Sequence, residues 1–425
     1  MGRRQGPDPV TPLAAAEAAL RILQHVDRQP PLRSPLDDAL GSVLAEDIVS
    51  PLDIPPWANS AMDGYAVRSE DVRGASPARP VRLRVVEQIP AGRFPSRVIG
   101  AGECARLFTG APLSSGADTV VRQEDTDGGS DIVTITDDRD VRMNIRHAGE
   151  DIAKGAAVLE RGTALHAAQI GVLASLAMGQ VMVYRRPRVA ILASGDEIVD
   201  VDQPEEILAG RKIASSNTHT LIALVREAGA IPVNLGIARD TPESVRTHLE
   251  LAAEADLLIT SAGISVGEHD YLRDVLQAMG ADLKFWRLRM RPGAPVGFGL
   301  LGTVPWIGLP GNPVSTMVTF ELFVRPAIRK MAGHALPFRR AVRVLLDEPI
   351  ALRPKLQHFL RATVSERAGG LRASLTGPQG SGILMSMVRA DALLIIPEGQ
   401  HETPKGGEVE ALVLTEPGHR ADPPF

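Results

Sequence analysis

Cysteine is nearly absent from this chain, since Cys104 is the single cysteine among 425 residues. One cysteine excludes an intrachain disulfide and any zinc site built from Cys-x-x-Cys pairs. Aromatic residues are also scarce at 4%, whereas Gly (40) and Pro (33) are abundant. We therefore expect a reduced, cytoplasmic protein with many turns, whose small β domains are packed largely by aliphatic side chains.

Long apolar runs and an excess of basic charge are missing as well. The longest mostly apolar region, 171–184, is interrupted by Gln180 and is well short of the roughly 18 apolar residues that indicate a membrane span. The formal net charge of −5 argues against a nucleic-acid partner. We expect no membrane helix, no export signal and no nucleic-acid binding.

Several catalytic motifs do not occur in the sequence. There is no Walker A motif, no G-x-G-x-x-G at the first strand-helix unit and no His-Glu-x-x-His. The ten histidines are scattered without the spacing of metal ligands. Kinase, dehydrogenase and transition-metal chemistry therefore lose support.

What is present is a regular alternation of apolar runs and amphipathic segments between Arg188 and about 330. This order is typical of a doubly wound, mostly parallel sheet. The predicted strands are 189–193, 231–235, 256–260 and 305–309, and the predicted helices are 217–228, 241–253, 270–279 and 313–332. Upstream of this region, short alternating runs between Gly, Pro and Asp clusters predict a β-rich region. Downstream of Pro337, short strands predict a terminal β domain.

Four loops rich in Gly or acidic residues each follow a predicted strand. They are Ser194-Gly-Asp-Glu197, Arg239-Asp240, Ser261 to Asp270 and Leu309-Pro-Gly-Asn-Pro313. Ligands of open α/β sheets bind at the carboxyl ends of the strands, so these loops are expected to meet in one crevice. The alternative for any single loop is an ordinary turn or helix cap.

The acidic residues in these loops are more numerous than a simple anion site needs. They suit a hard cation such as Mg²⁺ placed between carboxylates and phosphate oxygens. Arg287, Arg289 and Arg291 alternate, which predicts one face of a strand and a source of positive charge. A solvated strand face is the alternative for this alternation.

Ser265 admits two kinds of chemistry. Gly263-Ile-Ser-Val-Gly267 fits the G-x-S-x-G pattern of a serine nucleophile, for which His334 or His358 would have to serve as base. The same small residues, followed by Glu268 and Asp270, fit a phosphate cradle with its metal. The acids of the other loops favour the cradle.

Three upstream segments combine turn residues with hydroxyl or acidic side chains. They are Asn59-Ser-Ala-Met-Asp-Gly-Tyr-Ala66, Phe108-Thr-Gly-Ala-Pro112 and 144–151 (NIRHAGED). Asp63-Gly64 alone would be interpreted as a type I′ turn.

Together these segments closely resemble the molybdopterin molybdenumtransferase family, which includes MoeA and the E domain of gephyrin. The matching stretches are PPWANSAMDGYAVR, RLFTGAPLSSGADTVVRQED, GEDI, ASGDEI, SNTHTL, GIARDTPE, SAGISVGEHDY, GLPGNPVSTMVTFELFVRPA and TGPQGSGIL. The resemblance implies conversion of adenylylated molybdopterin and molybdate into molybdenum cofactor and AMP, assisted by magnesium. It also implies a homodimer with the active site at the subunit interface, and handover of the substrate from a MogA-like adenylyltransferase.

The resemblance further implies an α/β, multidomain fold of four parts. These are a MogA-like doubly wound domain (1–28 with 182–332), a small α-containing linker domain (29–54 with 146–181), a β-rich insert domain (55–145) and a C-terminal β domain (333–425). MogA-like adenylyltransferases share the sheet domain but lack the flanking β domains.

Site residues follow from the matched motifs. Catalytic roles fall on Asp63, Glu197, Asp240 and Asp270, of which Glu197, Asp240 and Asp270 would hold the magnesium. Substrate contacts fall on Thr109, Asp151, Ser194, Gly195, Asp196, Gly263, Ser265, Gly267, Glu268, Arg287 and Arg291. Pro310, Pro313, Arg361 and Ser381 match segments that line the molybdate pocket.

The chain departs from the family pattern at two places. Many members have K-P-G-K where this chain has Arg291-Pro-Gly-Ala294, and the usual Gly-Gly before the serine is Ala262-Gly263. We expect weakened oxyanion binding or a shift toward tungstate, with retained activity at moderate cost. A non-catalytic scaffold that binds peptides is a further alternative, and an exposed apolar groove beside the terminal β domain would support it.

Overall fold

The computed structural model describes residues 11–264, 271–352, 355–367 and 369–415. A six-stranded sheet occupies the middle of the chain, and it is mostly parallel, as predicted. Across the sheet the strands are Ile231–Ala238, Arg188–Ser194, Leu257–Ser261, Val304–Leu309, Gly297–Leu301 and Asp282–Phe285. The first four pair in parallel, and the last two pairings are antiparallel.

Helices cover both faces of this sheet, which explains why its parallel strands consist of aliphatic residues. Successive residues of one strand point to opposite faces, so Ile191 and Ile259 pack in one core while Ala190 and Leu258 pack in the other. The helices are Ala15–Leu23, Ser216–Glu227, Pro242–Glu250, Tyr271–Ala278, Pro313–Thr319 and Arg325–Met331, the last two joined by a π-helical stretch, Phe320–Val324.

A five-stranded sheet lies upstream in the chain, where β structure was predicted. Its strands, in spatial order, are Thr119–Arg122, Gly64–Val67, Glu103–Leu107, Val81–Ile89 and Ile132–Ile135. Apolar clusters cover both faces: Tyr65 and Val121 lie in one, Ala66 and Val120 in the other. Cys104 is buried in the first, where burial raises the pKa of its thiol to about 12 and makes it unreactive.

The third large sheet closes on itself after residue 340. In order, its strands are Met290–Arg291, Gln357–Arg367, Gly370–Leu375, Ala341–Leu346, Glu408–Val413 and Ala392–Ile396, and the last pairs back onto Gln357–Arg367. Met290–Arg291 enters this sheet from the middle of the chain, which connects it to the parallel sheet.

Smaller elements complete the chain between these sheets. One apolar core is formed by the paired strands Pro31–Pro35 and Gln180–Tyr184, the paired strands Ile48–Val49 and Ala157–Leu159, and the helix Ala167–Ser175. The remaining short helices and strands are Leu36–Ala39, Asn59–Ser60, Ser69–Val72, Gln123–Asp125, Ile145–Arg146, Ile198–Val199, Pro204–Leu208, Ile213–Ala214, Leu251–Glu254, Ile350–Ala351, Met385–Val388 and Glu402–Thr403. In the part of the chain that is described, none of the helices has the length and apolar character needed to cross a membrane.

The alternating arginines do not share one strand, so that prediction is wrong. The strand Asp282–Phe285 ends before Arg287, and Met290–Arg291 belongs to the closed sheet. Arg289 is ion-paired with Glu398, with Nε 3.1 Å from Oε1, while Arg287 and Arg291 are exposed. The alternation spans the point where the chain leaves one sheet for another.

Gly64 does not lie in a type I′ turn either, because it begins a strand without the positive φ that this turn requires. A Cβ atom at Gly64 would lie 2.0 Å from the carbonyl oxygen of Val121 on the adjacent strand. The glycine therefore permits close approach of two backbones.

We predict that Gly64→Ala lowers the free energy of unfolding by about 2–4 kcal/mol, because the backbone of a central strand must move. Gly171→Ala is the matched control, since a Cβ there meets no atom within 4 Å in an exposed helix. The control should gain about 0.5–1 kcal/mol. Urea unfolding of both variants measures the difference, and equal stabilities would contradict the prediction.

Candidate active site

A cavity of about 480 Å³ lies at the carboxyl ends of the parallel strands, where the loops were expected to meet. The loops after three of these strands form its wall. Of the predicted site residues, Ser194, Glu197, Gly263, Pro310 and Pro313 line it. We refer to it below as the crevice.

Asn217, which the sequence reasoning did not select, holds the crevice together. Its Nδ2 donates to Ser261 Oγ at 2.9 Å and to the carbonyl oxygen of Gly311 at 2.8 Å. Ser261 ends the strand Leu257–Ser261, and Gly311 lies in the loop that follows Val304–Leu309. The SNTHTL segment was the available signal, because a polar residue at the start of the helix Ser216–Glu227 points toward the same sheet edge.

Two acidic loops meet beside the crevice through reciprocal contacts. The backbone N–H of Asp196 donates to Asp240 Oδ2 at 3.2 Å, and the N–H of Asp240 donates to Asp196 Oδ1 at 3.4 Å. Arg239 and Lys212 add positive charge, since Arg239 Nη1 lies 3.9 Å from Asp196 Oδ1 and Lys212 Nζ contacts the Asp196 carbonyl oxygen. Carboxylates of two predicted loops therefore lie side by side, as the sequence indicated.

Gly195 permits a sharp bend between these acids and the strand. Its φ is +143°, and a Cβ atom would lie 2.6 Å from a carboxylate oxygen of Glu197. Glu197 itself is exposed at the mouth of the crevice. The φ of +143° is a backbone conformation that glycine adopts readily and other residues rarely do.

Four predicted residues, Ser265, Gly267, Glu268 and Asp270, lie outside the described residues. Within the described ranges, no three His, Cys, Asp or Glu side chains are grouped so that they could hold a metal ion. Of the three predicted magnesium ligands, the described residues include Glu197 and Asp240. Both carry carboxylate oxygens, which Mg²⁺ prefers as ligands.

A second cavity, of about 460 Å³, lies against the closed sheet and is lined by two of the predicted residues, Arg291 and Arg361. The Arg361 side chain is fully buried, with Nε donating to Ser386 Oγ and Nη2 to the Gly380 carbonyl oxygen, both at 3.1 Å. Burial lowers its pKa to about 10, so the group stays charged at neutral pH. Among the described residues no carboxylate pairs with it, which suits a bound anion.

The walls of the two cavities are connected through the helix that begins at Pro313. The N–H of Val314 donates to the carbonyl oxygen of Ser381 at 3.1 Å, which joins the wall of the crevice to the closed sheet. The predicted molybdate residues are therefore divided: Pro310 and Pro313 line the crevice, Arg361 lines the second cavity, and Ser381 lies at the joint.

Asp63 and Thr109 form a separate group in the upstream sheet. Asp63 Oδ1 accepts hydrogen bonds from the N–H of Thr109 at 2.7 Å and from its Oγ1 at 2.8 Å. These bonds hold the pKa of the Asp63 carboxyl below its usual range. Asp151 is exposed, and its N–H donates to Ile54. In the described ranges, no hydrogen bond or ion pair joins these three residues to either cavity.

His334 does not have the surroundings of a catalytic base. Its Nδ1 accepts from Arg329 Nη2 at 3.2 Å, and burial with the adjacent arginines lowers its pKa to about 4. A triad base instead hydrogen-bonds to a carboxylate and takes up a proton near neutral pH. His358 lies buried in the wall of the second cavity. Of the two candidate histidines, His334 therefore lacks the surroundings of a catalytic base.

The groove that a peptide-binding module would need does occur. It has a volume of about 320 Å³ and lies between the first helix and the closed sheet, with Leu20, Phe338, Phe359 and Leu412 among its lining residues. Leu20 and Phe338 are exposed. This groove differs from the crevice and the second cavity in its lining, because apolar side chains form most of its wall.

The chain matches known protein families in three parts that follow one another along the sequence. Family models match in three consecutive parts: "MoeA N-terminal region (domain I and II)" over residues 13–177, "Probable molybdopterin binding domain" over 190–330 and "MoeA C-terminal region (domain IV)" over 343–414. The crevice belongs to the second part, and the second cavity belongs mainly to the third.

Relatives are similar over nearly their whole length. The chain is 37% identical to a molybdopterin molybdenumtransferase of Nostoc sp. over 420 residues, covering 96% of this chain and 95% of that protein. It is 38% identical over 391 residues to molybdopterin molybdenumtransferase 2 of Mycobacterium tuberculosis, covering 91% and 95%. A crystal structure of the molybdopterin biosynthesis moeA protein from Pyrococcus horikoshii superposes with a TM-score of 0.82 at 30% identity, covering 95% of this chain and all (100%) of that chain.

We predict that Asn217→Ala lowers the free energy of unfolding by about 1–3 kcal/mol, because Ser261 Oγ is buried and loses its partner. Asn234→Ala is the control, since the Asn234 side chain accepts one bond from Gly236 at an exposed strand position. Chemical denaturation measures both. Similar losses in the two variants would show that Asn217 does not tie the loops.

We predict that Thr109→Val raises the pKa of Asp63 toward its usual value, because one of two stabilising donors is removed. Thr109→Ser keeps the hydroxyl and should leave that pKa low. The lowered pKa means that the ionised contact is fully present above the usual range and is lost as pH falls through the folded-state pKa. Titration of the Asp63 carboxyl carbon by NMR distinguishes the variants, and identical curves would contradict the assignment.

Proposed function

This chain belongs to the molybdopterin molybdenumtransferase family, and we propose that it inserts molybdate into adenylylated molybdopterin, forming molybdenum cofactor and releasing AMP. The observation that carries the proposal is Arg361, a fully buried cation without a carboxylate partner among the described residues, at a cavity next to the crevice. A tetrahedral dianion such as molybdate would supply the missing negative charge.

The division into two cavities suits two substrates. The crevice, formed by Gly-rich and Ser-rich loops at strand ends, would take the pterin-phosphate part of adenylylated molybdopterin. The second cavity would hold molybdate beside Arg361. The Val314–Ser381 hydrogen bond keeps the two sites adjacent, so that the oxyanion can reach the dithiolene end of the pterin while the anhydride is cleaved.

We propose that Glu197, Asp240 and Asp270 hold a magnesium ion beside the anhydride. The reciprocal Asp196–Asp240 contacts support this assignment, because they keep two carboxylate loops together at the mouth of the crevice. When bound, Mg²⁺ would neutralise phosphate charge. The protein's own contribution is to orient the two substrates and to keep water from the oxyanion held by Arg361.

The upstream group supports an active site shared between two subunits. Asp63 is exposed and ionised, yet within the described part of one chain it is not joined to the crevice. We propose that the protein is a cytoplasmic homodimer in which Asp63, Thr109 and Asp151 face the crevice of the partner subunit. A MogA-like adenylyltransferase would hand over the adenylylated substrate.

The replacement of the family's lysine by Ala294 removes one cation near the oxyanion. Arg291 is exposed and lines the same cavity as Arg361, so positive charge remains on that wall. We propose that activity is retained at moderate cost, with weakened oxyanion binding or a shift toward tungstate. We prefer this function to that of a non-catalytic peptide-binding scaffold, because the chain retains the acidic residues of the loops and the buried Arg361.

We predict that purified protein incubated with adenylylated molybdopterin, molybdate and Mg²⁺ releases AMP. Asp240→Asn and Asp270→Asn should slow release by about 100-fold, since each removes a charge from the metal site. Arg361→Lys should raise the molybdate concentration needed for half-maximal rate, because a single ammonium replaces the guanidinium fork.

Asp282→Asn is the matched control, because this acid is exposed at the far strand of the sheet and pairs with Lys284. Its rate should equal that of the unaltered protein. Absence of AMP release from folded, dimeric protein would refute the proposal. Labelling of Ser265 by a fluorophosphonate would instead support a serine hydrolase.

A further inference from the structure

Three arginines gather where the helix Arg325–Met331 meets the segment leading to the closed sheet. We call Arg325, Arg329 and Arg339, together with Glu321 and His334, the arginine cluster. None of the five lines the crevice or the second cavity. Their charges therefore need an explanation that is independent of the proposed reaction.

The cluster contains one contacting carboxylate for three guanidinium groups. Arg339 Nε lies 2.6 Å from Glu321 Oε2, and Arg325 Nε lies 3.7 Å from the same oxygen. Within the described chain, Arg329 makes no ion pair at all. Glu227, at the end of a neighbouring helix, acts on Arg325 only through space. The cluster thus keeps an excess of positive charge.

His334 does not remove this excess. Arg329 can only donate, so the Nδ1 of His334 is the acceptor of their 3.2 Å bond and its ring proton is on Nε2. Burial, with Arg329 and Arg325 nearby, lowers the pKa of His334 to about 4. The imidazole is therefore neutral at physiological pH, and it orients the Arg329 guanidinium without contributing charge.

The arginines are recessed but still reach solvent. The Arg325 side chain is 15% exposed and the Arg339 side chain 21%. In the described ranges, none of the three has a fully enclosed nitrogen without a partner. The unpaired N–H groups of Arg325 and Arg329 therefore meet water. Burial and the charges of Arg339 and Arg329 lower the pKa of Arg325 to about 10, because Glu321 and Glu227 compensate its charge only in part.

We propose that the arginine cluster is a binding site for a small tetrahedral oxyanion of the phosphate or sulfate class. Guanidinium groups donate pairs of parallel N–H bonds to such oxygens. The low exposure of Arg325 favours a small ion, since only 15% of its side chain reaches solvent. Bound oxyanion would join the helix Arg325–Met331 to Arg339 and so to the closed sheet.

The test is thermal unfolding during titration with sodium sulfate, at low millimolar concentrations and at ionic strength held constant with chloride. The unaltered protein should show a saturable rise in melting temperature of about 2 °C. Arg329→Gln should lose most of that rise while keeping its melting temperature in chloride. Arg343→Gln is the control, since this arginine is 76% exposed in the same sheet region, and it should respond as the unaltered protein does.

An equal sulfate response in Arg329→Gln and the unaltered protein would overturn the proposal, because the shift would then come from another site such as Arg361. A changed oligomeric state of Arg329→Gln, with an unchanged sulfate response, would assign the arginines to an interface instead and would also overturn it. If Arg329→Gln does not fold, Arg329→Lys replaces it. Equilibrium dialysis with labelled phosphate should then show one ion fewer per chain, and unchanged stoichiometry would refute the site.

Discussion

Parallel pairing of four strands is the constraint on which the active site depends. Parallel strands require crossover helices, and these helices bury both faces of the sheet, so most side chains of the strands are apolar. Polar residues must follow the strands, and the shared strand direction brings those loops to one edge. Asn217 then ties the loops after Ser261 and Leu309, which turns a common edge into a shaped crevice.

The closed sheet supplies what the parallel sheet lacks, a buried positive charge. Burying Arg361 on the face of this sheet opposite the Leu360 and Ala362 core costs desolvation, yet the pKa of about 10 keeps the group charged at neutral pH. The hydrogen bond between Val314 and Ser381 brings this charge to the edge of the crevice. The arginine cluster follows the same physics elsewhere, since recessed guanidinium groups with too few carboxylates are stabilised by a mobile anion.

Much of the fold was predictable because periodicity reports burial. The four parallel strands and the helices between them lie within a few residues of the predicted positions, and the acidic loops at 196 and 240 do meet. The failures have one cause. Alternation at Arg287 to Arg291 cannot reveal that the chain passes between two sheets there, and Asp63-Gly64 has the composition of a turn although Gly64 serves a close strand contact.

The sequence by itself determined the class of fold and the set of candidate residues, because local patterns and matched motifs depend only on neighbours along the chain. The tertiary structure alone decided how those residues are distributed. It separated Arg361 from Pro310 into adjoining cavities, placed Asp63 and Thr109 in a group of their own, and gathered three arginines from around position 325 to 339. The first two outcomes depend on contacts between distant segments, and the third depends on how the chain turns after the helix Arg325–Met331. No local pattern contains the resulting burial and charge balance.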